Sequence, residues 1–379
     1  MVKSLQLGLH WFPENHGGLD RVYYELWRSL PMADIAFTGL VAGTGRCNTE
    51  TQGAIQAFAE GDAPLLARWK GMRQAYAKAV RENPPDLVVS HFALYTLPVL
   101  GKLGNLPLVV HFHGPWANEG GLEGNTGLRR AVKIRIENLV YRRASRAIVL
   151  SNAFADLLAS QYKFPRERVH VIPGGVDLAR FDTGLSREEA RARLGWPGDR
   201  PIIVSVRRLV PRMGLANLLD AMRIMRAKMP DLQLMIAGHG SLRAELERQI
   251  EVQGLSGNVR MLGFVSDDTL PLLYAAADLS VVPTVALEGF GLIAAESLAA
   301  GTPCLVSPVG GLPEVVSGLS PELVLPSPAP ADIAEGVLAA LNGGLNLPDS
   351  AACRAYAAAS FNWNTIAGQI ASVYRLATA

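Results

Sequence analysis

Cysteine is scarce in this 379-residue chain: Cys47, Cys304 and Cys353 are its three examples. They are too few and too scattered for a disulfide framework or a zinc spacing, which points to a reducing compartment. An excess of one charge is also missing. The 36 Lys and Arg nearly match the 34 Asp and Glu, a net charge of +2, which argues against general nucleic-acid binding. No apolar run approaches the ~18–20 residues that span a bilayer. The apolar run in the opening MVKSLQLGLHWFPENHGG is too short and too mixed for a signal peptide. A soluble, cytoplasmic protein is expected. No G-x-G-x-x-G with an acidic residue ~20 positions on occurs in either half, which speaks against an NAD-dependent oxidoreductase built on two dinucleotide domains. No Asp-x-Asp occurs either, so an obvious clamp for a divalent metal is lacking.

Apolar residues are plentiful, at 49% against 18% charged, and glycine is frequent, at 37 residues. A large core and many tight strand-to-helix turns follow. The length suggests about two domains. Short apolar runs alternate with helical periodicity along the whole chain. In the first part, strands are expected at Leu5–Leu9, Ile35–Val41, Asp86–Ser90, Leu108–Val110, Ala147–Leu150 and Val169–Ile172. Helices are expected at about 19–30 and 65–80. The pattern breaks at Pro173–Asp177, and a polar segment, Thr183–Arg200, carries the chain onward. It restarts with runs at Ile202–Val206, Gln233–Ala237, Val259–Met261, Leu279–Val282 and Cys304–Val306, with helices at about 214–228, 241–253 and 291–300. Strands alternating with helices predict two Rossmann-like domains with parallel sheets. The boundaries read as 1–178 and 186–360, with a final helix at about 363–379 packing back on the first domain.

The stretch Pro283–Val316 holds the densest chemistry. The apolar run Leu279–Val282 empties into a loop carrying Glu288, then Gly289-Phe290-Gly291, then a helix that carries Glu296 in its second turn. In an open parallel sheet, ligands bind beyond the carboxyl ends of the strands. Glycines let the backbone approach a phosphate, and the helix start offers unpaired N–H groups. From spacing alone, a ligand site and a plain turn with two solvated glutamates both stand.

Other strand ends add to the first reading. Arg207-Arg208 follows Ile202–Val206, and Arg212 lies four residues beyond Arg208. A guanidinium fork suits a diphosphate because it bonds two oxygens at once and stays charged. Gly238 makes a tight turn after the next strand. Gly263-Phe264-Val265 ends another, where backbone groups can read a flat base. In the first domain, Gly17-Gly18 precedes a helix, and histidines crowd three strand ends: His10, His91 and the pair His111/His113. Taken singly, such a histidine is more often a packed or capped core residue. A ligand with a diphosphate, a ribose and a second polyol fits all these features, and a nucleoside-diphosphate sugar has all three.

Over nearly its full length the chain resembles the retaining glycosyltransferases of family 4, which have the two-domain GT-B fold. Glu288 and Glu296 within EGFGLIAAE resemble the family's E-x7-E motif, with GTPCLVSPVGGLPE behind it. Gly17-Gly18, His113, PGGVD at Pro173–Asp177 and the Arg208-Leu209 turn add support. The resemblance implies two sheets facing a cleft and a metal-independent transfer from a UDP- or GDP-sugar to a glycan, lipid-linked or small-molecule acceptor. It implies no cofactor. Glu296 would hold the ribose, and Glu288 the transferred sugar. The N–H groups of Phe290, Gly291 and Leu292 would hold sugar and distal phosphate, with Gly18 approaching from the other domain. Arg208 would neutralise the leaving diphosphate, and His113 would stabilise charge developing at the anomeric carbon. One departure is plain: Met213 stands where the family has lysine, and Arg212 is the natural substitute.

A GT-B nucleotide-sugar epimerase and a non-catalytic nucleotide-sugar-binding protein are the alternatives. The segment 128–146 carries seven Arg and Lys against one Glu, with Val132, Ile136, Leu139 and Val140 read as one helical stripe. It is either a buried helix with a solvated basic face or a contact for anionic lipid, placing the protein on the inner face of a membrane.

Overall fold

The computed structural model describes residues 1–12, 14–15, 17–118 and 127–379. Pro13 and His16 lie outside the described residues. Two compact units divide the chain: Met1–Gly175 with Trp363–Ala379, and Val176–Asn362.

The first unit is built on seven parallel strands: β1 (Val2–His10), β2 (Ile35–Ala42), β3 (Ile55–Ala59), β4 (Leu87–Ser90), β5 (Leu108–Phe112), β6 (Arg146–Val149) and β7 (Val169–Val171). Their order is β3-β2-β1-β4-β5-β6-β7. Helices cover a parallel sheet on both faces, so its central strands read as unbroken apolar runs. All of β4 and β5 is buried. Three helices matter below: α1 (Gly18–Ser29), α2 (Leu65–Glu82) and α3 (Leu128–Arg143). Side chains alternate across β1. Leu5 and Leu7 join the apolar core with Val88, Val110 and Phe112. Ser4 and Gln6, also fully buried, belong to the opposite face.

The second unit has five parallel strands: β8 (Ile202–Val206), β9 (Gln233–Ala237), β10 (Val259–Gly263), β11 (Leu279–Val282) and β12 (Cys304–Val306). Their order is β10-β9-β8-β11-β12. Helices α4 (Leu215–Lys228), α5 (Arg243–Val252) and α6 (Leu292–Ala299) belong to this unit. The closing helix α7 (Trp363–Thr378) belongs to the first.

The structure departs from the sequence pattern at several points. Strand β3 was not anticipated, because Ile55-Gln56-Ala57-Phe58-Ala59 is an edge strand with only two buried residues and little periodicity. His111 is not past the end of its strand. Pairing of β5 with β6 continues to Phe112↔Val149, so His111 lies inside the sheet. The polar segment Thr183–Arg200 contains a helix, Arg187–Leu194, started by a reciprocal capping box between Ser186 and Glu189. Its buried Arg191 donates to Asp278 at 2.7 Å and to the carbonyls of Ala276, Gly198 and Arg200. The stripe on α3 splits. Ile136 and Val140 are buried, whereas Val132 and Leu139, seven residues apart, face outward with Leu128.

Candidate functional site

In both units the chain fills one side of the sheet first and then the other. Strand order therefore reverses between β1 and β4, and between β8 and β11. At such a reversal the two loops leave the sheet in opposite directions and open a crevice beyond the carboxyl ends of the strands. In the second unit those loops begin with Arg207 and with Pro283.

Arg207 donates to Glu288 Oε2 at 2.5 Å, joining the two loops, and also bonds the hydroxyl of Thr284. Both side chains are largely withdrawn from water, at 6% and 15% exposure. A pair so placed holds its geometry tightly, since either charge alone would be costly to bury. Arg207 Nε is buried and has no hydrogen-bond partner among the described residues. Arg212, also buried, donates from Nη1 to the Leu287 carbonyl at 2.8 Å. That contact supports a strained point, for Leu287 has a φ of 52°, rare for a side chain of its size.

Glycine is required just beyond. Gly310 has a φ of 58°, and a Cβ there would collide with the Glu288 carbonyl oxygen. The Gly311 N–H donates to that same oxygen at 2.9 Å. The loop bearing Glu288 is thus pinned from three sides: by Arg207, by Arg212 and by the turn after β12. Gly291, at φ 92°, is the N-cap of α6. Glu296, one turn into that helix, is buried. Its charge, with burial as the larger cause, helps push the Tyr274 phenol well up.

In the first unit the reversal gathers histidines. His91, just past β4, approaches His113, just past β5, with Nδ1 and Nε2 3.2 Å apart. His91 Nε2 lies 2.9 Å from Gln6 Oε1. His111 Nε2 lies 2.8 Å from the hydroxyl of Tyr374 on α7. Burial lowers all three imidazoles, His113 to about 4 and the other two well below their usual range, with neighbouring imidazoles adding to the effect on His91 and His111. They are neutral at physiological pH.

Comparisons with known proteins identify the family. Residues 186–359 match the model described as glycosyl transferases group 1, and residues 16–180 match glycosyltransferase family 4. A D-inositol 3-phosphate glycosyltransferase of Streptomyces scabiei is 31% identical over 331 residues, covering 83% of this chain and 73% of that protein. The chain belongs to glycosyltransferase family 4. An uncharacterized glycosyltransferase of Methanocaldococcus jannaschii is 34% identical over 64% of this chain and 63% of its own length. Among solved structures, Anabaena HepE in complex with UDP and glucose superposes with a TM-score of 0.81 at 22% identity, covering 99% of this chain and 100% of that one. Two α/β domains with parallel sheets of seven and five strands match the GT-B glycosyltransferases.

Within this glycosyltransferase, most of the expected donor-binding residues of the second unit follow strand ends at one edge of its sheet, while Glu296 lies inside α6. Arg208 follows β8, Gly238 follows β9, half-buried Val265 lies just beyond β10, and Glu288, Gly289, Phe290, Gly291 and Leu292 lie between β11 and α6. The Arg208 side chain is exposed and makes no hydrogen bond or ion pair within the described residues. Arg212 and Met213, by contrast, are both buried. In the first unit, Gly17 is the N-cap of α1 and Gly18 its first residue.

Three residues of consequence were not assigned roles from sequence. Arg207 was named only as part of a basic turn. Two adjacent arginines leave a strand end in different directions, and nothing local says which one turns inward. Gln6 meets His91 across 85 residues of sequence, and His91 meets His113 across 22, beyond any local pattern. A glutamine amid the apolar β1 was the one available signal.

Proposed function

We propose that this glycosyltransferase moves a hexose from a nucleoside-diphosphate sugar, UDP-linked or GDP-linked, to a hydroxyl of a glycan, lipid-linked or small-molecule acceptor. Transfer retains the anomeric configuration and uses no metal. The observation that carries the reading is the constellation at the β8–β11 reversal. Glu288 is fixed by Arg207, Glu296 lies one turn into α6, Gly291 opens that helix, and the guanidinium of Arg208 is exposed.

In this reading Arg208 and the N–H groups of Phe290, Gly291 and Leu292 stabilise charge on the leaving diphosphate. Preorganised donors of that kind supply the largest share of many rate enhancements. Glu296 takes the ribose hydroxyls and Glu288 those of the sugar. His113 acts at the sugar as a neutral imidazole, and Gly17 and Gly18 allow close approach to the donor. Gly238 and Val265 border the base. The complex of HepE with UDP and glucose favours UDP as the first base to try. That the curated relatives are glycosyltransferases favours transfer over epimerisation.

A thermal-shift panel of UDP- and GDP-sugars tests the donor. One base should raise the melting temperature across its sugars, with one sugar raising it most. A panel in which no nucleotide shifts melting at 1,000 times its expected Kd, a condition worth about 4 kcal/mol, contradicts it.

The outward face of α3 supports a second element of the proposal, peripheral contact with an anionic membrane surface on the cytoplasmic side. Leu128, Val132 and Leu139 are exposed there beside Arg129, Arg135 and Arg142. Apolar insertion and charge attraction act together in such helices. Among the described residues no helix is long and apolar enough to cross a membrane. Co-sedimentation with phosphatidylserine vesicles, lost in Leu128→Ser/Val132→Ser/Leu139→Ser, is the expected result. Equal sedimentation with neutral vesicles contradicts it.

A further inference from the structure

The histidines of the first unit end a hydrogen-bond relay whose direction can be deduced link by link. Ser4 Oγ donates its single hydrogen to the Ala36 carbonyl at 3.0 Å. It therefore meets Gln6 as an acceptor, and the Gln6 amide turns its NH2 toward it, at 2.9 Å. That fixes the Gln6 carbonyl oxygen toward His91 Nε2, at 2.9 Å. A carbonyl only accepts, so His91 carries its proton on Nε2. A neutral imidazole has one proton, so His91 Nδ1 is a lone pair. His113 Nε2, 3.2 Å away, must then be the donor. His113 is left with an unprotonated Nδ1, which has no hydrogen-bond partner among the described residues.

We propose that Gln6 and His91 are positioning residues for His113, holding it as the Nε2–H tautomer with Nδ1 free to accept a hydrogen bond from a hydroxyl of the bound sugar. The proposal deepens the transferase reading and rests on it for the identity of the hydroxyl. The arrangement of the relay does not depend on it. In metal sites, outer partners that fix the tautomer and angle of a histidine are worth about 10–100-fold in affinity or activity. In any histidine, the bond made by one ring nitrogen sets the protonation of the other.

The surroundings suit this role. The titratable groups facing His91 are His111, His113 and Tyr23, and Tyr374 bonds its neighbours Gln6 and His111. Burial raises both phenols, which stay neutral. Ring nitrogens of His91, His111 and His113 lie within 4.8 Å of one another, a spacing that also brings a metal ion to mind. His91, however, spends one nitrogen on Gln6 and the other on His113. An ion would have to displace the proton between the two rings.

The experiment is nitrogen-15 NMR of histidine-labelled full-length protein, read beside donor turnover. In the wild type, His113 should show a protonated Nε2 and a pyridine-type Nδ1. His91→Asn places an amide oxygen where Nδ1 was, so it should keep this tautomer and most of the turnover number. His91→Leu should lose the tautomer and about tenfold in kcat, the worth of one hydrogen bond, with the donor KM changed much less. Gln6→Glu should draw a second proton onto His91, turn His91 Nδ1 into a donor and reverse the His113 tautomer. A wild-type His113 protonated on Nδ1 overturns the proposal. So does a folded His91→Leu protein that keeps both tautomer and kcat. Stoichiometric shifts of the three histidines on adding zinc alone would also overturn it. Absence of turnover with every donor, alongside the expected spectra, would instead count against the transferase reading.

Discussion

At the scale of the residue, burial has a measurable consequence for stability. An unfolded histidine titrates near 6.5, whereas folded His113 titrates at about 4 and His91 and His111 fall well below their usual range. As pH drops below about 6.5 the unfolded chain takes up protons that the folded chain refuses. Linkage then lowers stability on acidification, by up to about 1.4 kcal/mol per pH unit for each such histidine. Urea unfolding midpoints at pH 7, 6 and 5 should fall in that order. A midpoint that holds steady or rises over this range would mean that the three rings are hydrated or paired with an acid. The histidines were visible in the sequence as a cluster of strand-end residues. Their mutual contacts were not, because the β4–β5 pairing that brings them together is a property of the sheet and of no single segment.

At the scale of the element, the two adjacent arginines after β8 separate two jobs. Arg207 ties the loop after β8 to the loop after β11 through Glu288. Removing one partner of a buried pair typically costs about 3–5 kcal/mol, so Arg207→Met should lower stability by roughly that amount. The Arg208 side chain is exposed and unbonded among the described residues, so Arg208→Met should leave stability within about 0.5 kcal/mol while weakening UDP or GDP binding. Denaturant titration and calorimetric nucleotide binding on both variants check the contrast. Equal stability loss in the two, or unaltered nucleotide affinity in Arg208→Met, would contradict it. Most of the elements were readable beforehand. Buried parallel strands such as Ile202–Val206 and Leu279–Val282 appear as short apolar runs with glycine or polar turns at their ends, and those ends mark the site. The helix Arg187–Leu194 was missed although Ser186-Arg187-Glu188-Glu189 carries a capping-box spacing, since its charged composition resembled a linker. Strand β3 lacked even that signal.

At the scale of the whole molecule, the chain closes its first unit with its last helix. In α7, Trp363, Ile366, Ile370, Val373 and Tyr374 are all buried, and Tyr374 also joins the Gln6–His111 network. Burial of large apolar side chains is worth about 1.5–3 kcal/mol each, so five of them approach the entire 5–15 kcal/mol margin of a folded domain. A chain ending at Asn362 should therefore lose the cooperative unfolding transition of the first unit and expose it to proteolysis. Retention of that transition in calorimetry would show that α7 is dispensable. The family, the GT-B fold and the glycosyltransferase class rest on the matched domains and relatives. The central proposal goes one step further, to retaining transfer from a nucleoside-diphosphate sugar at the Glu288 constellation. Proton NMR of donor turnover, followed from the first minutes before mutarotation, tests it most directly. The account predicts that the wild type releases or transfers the sugar in the anomeric configuration of the donor, and that Glu288→Gln abolishes the signal. A first-formed product of opposite configuration, or turnover undiminished in Glu288→Gln, would contradict it.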